Sequence, residues 1–371
     1  TRVMTVIAVP AMLAPVLGPV IGGLIVDNLS WRWMFYVNVP LCVIALLLAF
    51  RVLGPDTERH RAPLDVPGLL LLPPGLAIMI YGLSRAGTDN AAAWTWLAVG
   101  GLLVAGFTLH ALRTDHPLVS VRAFRRRAFA TSTIALFIYS GAAFGLLVVL
   151  PVYYQVVRGE SPLRAGLLTA PIGIGAIITM SLSGRLTERI AARWVAATGI
   201  ALVAAATLVY TQIGVATSLV LLVAALFVVG LGHGTVLPPA MGASYQGMSK
   251  PEIPAATATM NATLRVGTSF GTAALAVILQ QNIRSRIPGV SNLSAAEQLR
   301  GAHPHALLTS AFASSFWWVA AIAAVAIIPA LLIPRRPTPA AAPSPAPAPS
   351  PAPSPVPSPV PSPAPSPVDV T

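Results

Sequence analysis

The sequence predicts an all-α, polytopic membrane helical bundle, and three observations carry that prediction. Hydrophobic residues make up 55% of the 371 residues and charged residues only 9%, against about a quarter charged in soluble domains. Apolar runs of bilayer-crossing length, about 20 residues, recur along the whole chain up to its tail. Arginine and lysine divide unequally between alternate loops, the bias that membrane topology imposes.

Ten runs are long enough to span: 3–26, 34–53, 66–84, 94–112, 129–153, 163–183, 194–213, 219–237, 255–280 and 307–333. Fifteen basic residues fall in one set of loops and seven in the other, with Arg265 left inside a run. The positive-inside rule then predicts that both ends of the chain are cytoplasmic. The net charge of +12 does not point to nucleic acid, because the arginines sit in short clusters between apolar runs, without interleaved aromatics. Cys42 is the single cysteine, so neither a disulfide framework nor a cysteine metal site is expected. The chain has no H-E-x-x-H, no paired carboxylates on one helix and no phosphate-cradling loop. An enzyme, a cofactor and a metal are therefore not expected. Thr1-Arg2-Val3 carries neither an initiator methionine nor a charged leader region, and the expectation is a chain that starts inside a larger gene product.

The first run is Ala14-Pro15-Val16-Leu17-Gly18-Pro19-Val20-Ile21-Gly22-Gly23 and its flanks. Ala14, Gly18 and Gly22 share one helix face, a ridge of small residues that lets helices approach closely. Pro15 and Pro19 beside it remove amide donors and bend the helix. A bulky residue at Gly18 or Gly22 is expected to abolish function.

The run is followed by Ser30-Trp31-Arg32-Trp33-Met34-Phe35-Tyr36-Val37-Asn38-Val39-Pro40. Gly-Pro-x-x-Gly-Gly with this Trp-Arg-Trp loop resembles the antiporter motif of the major facilitator superfamily, in particular its fourteen-span drug:proton antiporters. The resemblance implies a bundle of the major facilitator type with about ten transmembrane helices in this chain. It divides the chain into the last two helices of an N-terminal half (1–54), two extra linker helices (55–113), a C-terminal six-helix half (114–333) and a disordered Pro/Ser/Ala tail (334–371). Four N-terminal helices, with the acidic residues that couple protons in this family, would lie outside the chain.

Tyr154-Gln155 to Ser161-Pro162-Leu163-Arg164-Ala165-Gly166 resembles the family's outer hairpin, and Ser161 before Pro162 suits a helix N-cap with proline at the first helical position. Gly184-Arg185-Leu186-Thr187-Glu188-Arg189 is similar to the second copy of the family's cytoplasmic loop, with Ala191 where a glycine is usual. The resemblance implies a gating loop of Gly184, Arg185, Glu188 and Arg189; positive-inside anchoring accounts for the same charges. His233, in the glycine-rich Gly230-Leu231-Gly232-His233-Gly234, titrates near neutrality in water; it is expected to hydrogen-bond a neighbouring helix or to act on protons or substrate.

Thr257, Asn261 and Arg265 share a face of the ninth run, and Gly267 with Gly271 forms a close-packing face. Arg265 stands about 15 Å into its run at about 1.5 Å per residue, and a charge at that depth normally faces a polar interior. The family carries a similar Asn-x-x-x-Arg-x-Gly-x-x-x-Gly segment. From Pro337 the Pro-Ser-Ala units cannot build a core and predict a polyproline II-like tail.

The resemblance implies export of hydrophobic or cationic drugs in exchange for protons across the plasma membrane. Partners are small hydrophobic or cationic substrates, protons and the lipid bilayer. Export of one endogenous metabolite, such as an antibiotic or siderophore, and a truncated remnant that transports nothing are the alternatives.

Overall fold

The computed structural model describes residue 18 and residues 20–52, 64–86, 89–114, 117–214, 217–287 and 305–334. Every regular element among them is helical: α1 (20–28), α2 (Trp33–Tyr36), α3 (Asn38–Val52), α4 (Val66–Arg85), α5 (Asn90–Arg113), α6 (Arg127–Val156), α7 (Pro162–Arg189), α8 (Ala192–Thr211), α9 (Leu219–Ser244), α10 (Ile253–Arg286) and α11 (His305–Leu331), with short 3-10 turns at Val121–Arg125 and Lys250–Glu252. Nine stretches among the described residues are long and apolar enough to cross a membrane, and they coincide with the second to tenth predicted spans. Of the first predicted span, Ala14, Pro15 and Pro19 lie outside the described residues. The chain divides at Arg335, and the tail beyond it also lies outside them.

Polar residues at the span ends start these helices. Asp65 accepts from the Gly68 amide at 2.9 Å, Asp89 from Ala92 at 3.0 Å and Ser161 from Arg164 at 3.3 Å, each supplying an acceptor to amides that have none within the helix. Pro162 follows Ser161 at the first helical position. Ser249 and Glu252 form a capping box before α10, and Glu252 also takes Arg126 at 2.9 Å.

Small residues then set which helices touch. On α9, Gly230 and Gly234 lie against α7 and Gly232 lies against Gly199 and Val203 of α8. The alternation follows from the helix itself. Residues four apart share a face, while two steps of about 100° turn Gly232 to the opposite side, so α9 is held between α7 and α8. Gly267 and Gly271 of α10 face Phe137, Ser140 and Gly141 of α6, and the Ser140 hydroxyl reaches the Leu264 carbonyl at 3.2 Å. α11 closes against α6, α8 and α10, with Phe312 and Phe316 packed on Tyr153 and Tyr210.

α4 and α5 form a hairpin held by Gly75, Gly82 and Gly100, and α4 also packs on α10. Its base is a buried carboxylate. Asp65 accepts from His110 Nε2 at 2.7 Å and from the Leu118 amide at 2.9 Å, besides capping α4. Burial pushes the Asp65 carboxyl up, but the Leu118 and Gly68 amides and the His110 imidazole outweigh it and hold its pKa below the ordinary value. A depressed carboxylate stabilises the fold above its unfolded pKa and loses that contribution as the pH falls through the folded value. Asp65→Asn is therefore expected to lower the thermal midpoint at pH 7, by about 1–3 kcal/mol in stability. The difference should vanish only below the ordinary carboxylate range, as scanning fluorimetry against pH would show.

The expected ridge on α1 is not where the packing falls. Among the described residues, a side-chain atom added at Gly18 would meet nothing within 4 Å, and one at Gly22 only Met34 at 3.9 Å. Gly23 is the tight position, 2.6 Å from the Pro162 carbonyl oxygen for an added Cβ. One residue is about 100° of helix rotation, so the face that meets α7 is the neighbouring one. Asp27, one turn further on, accepts the Leu163 amide at 2.9 Å. α2 and α3 bury no residue among those described.

Candidate functional site: a cavity between α6, α7 and α9

A cavity of about 360 Å³ opens between α6, α7 and α9, beside the seam where Gly230 and Gly234 bring α9 onto α7. That volume is in the range of small-molecule sites, which are concave and mostly apolar with a few placed polar groups. Its walls are apolar, among them Phe144, Leu147, Ile172, Met180 and Val229. The polar side chains on it are Tyr139, Thr169 and His233. Among the described residues, no aspartate, glutamate, lysine or arginine lines it.

His233 is brought to this wall by its glycines. With Gly230 and Gly234 turned to α7 and Gly232 to α8, the imidazole is left facing α6, where Tyr139 Oη and His233 Nδ1 lie 2.8 Å apart. The tyrosine is 1% exposed, and its ring sits 5.7 Å from the imidazole. Thr169 donates to the Gly166 carbonyl of its own helix at 2.9 Å.

The other residues singled out by the sequence lie elsewhere. Asn261 and Arg265 are exposed on one face of α10, with Ser269 continuing it one turn on. The Arg265 guanidinium makes no hydrogen bond or ion pair with another described residue. The opposite face carries Gly267 and Gly271 onto α6.

Gly184, Arg185, Glu188 and Arg189 do not form a loop: they are the last turns of α7, and the break is at Ile190–Ala191. The physical reason is local. Arg, Leu and Glu favour helix, and without a glycine to stop the chain the helix runs on until the Ile190 amide closes on Leu186 at 2.8 Å. Arg185, Glu188 and Arg189 make no ion pair among the described residues.

Tyr139 was not marked by the sequence, nor were Thr169, the Asp65–His110 pair or the Asp27 contact. A tyrosine in an apolar run carries no spacing signal, and its partner is 94 residues away.

A polytopic all-α bundle, seamed by glycines around an apolar cavity with one polar pair, places the chain in the class of helical membrane proteins. Within that class the chain belongs to the Major Facilitator Superfamily, whose sequence profile matches residues 1–272. It is similar to the multidrug resistance protein B homolog of Mycobacterium tuberculosis, 35% identical over 285 residues, 75% of this chain and 53% of that protein. The multidrug transporter protein MdtP of Bacillus subtilis is 29% identical over 319 residues, 81% of this chain and 59% of that protein. The lincomycin resistance protein LmrB of Listeria monocytogenes is 27% identical over 279 residues, covering 74% and 59%. The chain thus spans rather more than half the length of the curated relatives it matches.

Proposed function

We propose that the protein to which this chain belongs exports hydrophobic or cationic drug-like compounds across the plasma membrane in exchange for protons, with both ends of this chain cytoplasmic. The observation that carries the reading is the α6–α7–α9 cavity, apolar with a single tyrosine–histidine pair, within a family whose matched members are named for multidrug and lincomycin resistance. A hydrophobic compound leaves water on entering such a cavity, and a few polar groups fix its orientation.

In this reading α1 to α3 close an N-terminal half, α4 and α5 are an inserted hairpin, and α6 to α11 are the C-terminal half that rocks against the other about a midplane site. Gly184 to Arg189, at the end of α7, supply charges for a cytoplasmic gate that engages other helix ends as the transporter cycles. Asn261 and Arg265 face the polar path between the halves, since a charge at that depth requires polar surroundings.

The test is dye efflux. Energised cells expressing the protein should extrude a neutral apolar dye, and a protonophore should stop it. Efflux that survives collapse of the proton gradient would refute antiport, and no efflux of any dye would refute export.

A further inference from the structure

The chemistry of the cavity narrows what this half can hold, and the argument rests on the reading of that cavity as the transport site. Tyr139 is buried, and its hydroxyl has no partner other than His233 Nδ1 among the described residues. A buried phenol that left its proton unbonded would lose the full desolvation cost of a donor. Its O–H therefore donates to Nδ1. A neutral imidazole that accepts at Nδ1 carries its proton on Nε2.

Nε2–H has no acceptor among the described residues. It is not sealed either: the polar side-chain atoms buried without a partner are Ser132 Oγ, Thr133 Oγ1 and Arg193 Nε, and His233 lines the cavity. The Tyr139 and Thr169 hydroxyl protons are both committed, to Nδ1 and to the Gly166 carbonyl. Among the described residues the walls thus offer one uncommitted side-chain donor and no carboxylate.

We propose that the cavity binds an uncharged apolar molecule through a hydrogen-bond acceptor, a carbonyl or ether oxygen, seated on His233 Nε2–H, and discriminates against permanent cations. An acceptor-bearing ligand satisfies the imidazole without moving it. A quaternary ammonium offers the N–H nothing and would give up its hydration with no anion among the described wall residues to replace it.

The test uses the full chain in lipid nanodiscs, with empty nanodiscs subtracted, and three naphthalene probes of one skeleton: a 6-acyl-2-dimethylamino ketone, its 6-alkyl analogue lacking the carbonyl, and the 2-trimethylammonium form of the ketone. The ketone should bind about fivefold to tenfold tighter than the alkyl analogue, the effect of one hydrogen bond, and at least about tenfold tighter than the cation. His233→Phe should erase the preference for the ketone over the alkyl analogue, and His233→Gln, which keeps an N–H donor, should restore part of it. Equal binding of ketone and alkyl analogue by the wild-type chain would overturn the proposal without recourse to a variant. So would a cation that binds as tightly as the ketone. These binding outcomes are separate from transport: selective binding without efflux refutes the export reading alone, and protonophore-sensitive efflux without selective binding refutes this inference alone.

Discussion

Gly230→Leu is expected to prevent assembly of the bundle. An added Cβ at position 230 would lie 2.8 Å from the Ile172 carbonyl carbon and 2.9 Å from its Cα. Both are backbone atoms of α7, so no rotamer change relieves the clash, and α7 and α9 must separate. Overpacking a tight core costs about 1–3 kcal/mol and occasionally more. Here the upper end or beyond is expected, because the same α9 helix is held from the other side by Gly232 against α8. The folded peak in detergent gel filtration should be lost, and dye efflux with it. Gly242→Leu on the same helix is the control, since a Cβ there meets nothing within 4 Å; its elution and efflux should match the parent.

Arg265→Ala is expected to remove transport while leaving the protein folded. Arg265 is on the exposed face of α10, about 18 Å from the helix start at about 1.5 Å per residue, and holds no other described residue. Nothing in the packing of α10 on α6 and α11 depends on it. A charge kept at that depth carries a cost that only polar surroundings offset, so its contribution belongs to the path and not to stability. Efflux should fall at least about tenfold, the effect of losing one charge-assisted contact, with an unchanged thermal midpoint. Unchanged efflux would mean that Arg265 only reaches for the membrane surface with its long side chain.

The membrane helices are legible in the sequence because a bilayer-length apolar run is a one-dimensional signal, and nine of the ten runs coincide with long apolar helices. Faces are legible too: the i, i+4 spacings of Gly230 with Gly234 and of Gly267 with Gly271 can be read from the chain. Which face meets a neighbour is not. The Gly18–Gly22 spacing marks a ridge, but α7 lies against Gly23. The extent of a helix also depends on stop signals; with alanine at position 191 the segment 184–189 reads as a loop only through its resemblance, and physically it continues α7.

The polar constellations are invisible for a different reason. Tyr139 and His233 are 94 residues apart, and Asp65 finds His110 and Leu118 at separations of 45 and 53. No local pattern records a contact made by three-dimensional packing. Asp65 reads in the sequence as one more acid at a span end, and Tyr139 as one more aromatic in an apolar run. His233 is singled out, but its role on the cavity wall follows only once the glycines around it have fixed its direction.

The central claim is that substrate sits in the α6–α7–α9 cavity. Cys42 is the single cysteine and lies on α3, so Cys42→Ser gives a background without thiols. In it, Ala176→Cys places a thiol on the cavity wall, and Leu202→Cys places one on the exposed surface of α8. The rate of alkylation by a small maleimide, with and without a transported dye, is the measurement. The account predicts that the dye slows alkylation at position 176 and leaves position 202 unchanged. Efflux by a competent transporter with equal alkylation of position 176 in both conditions would contradict it.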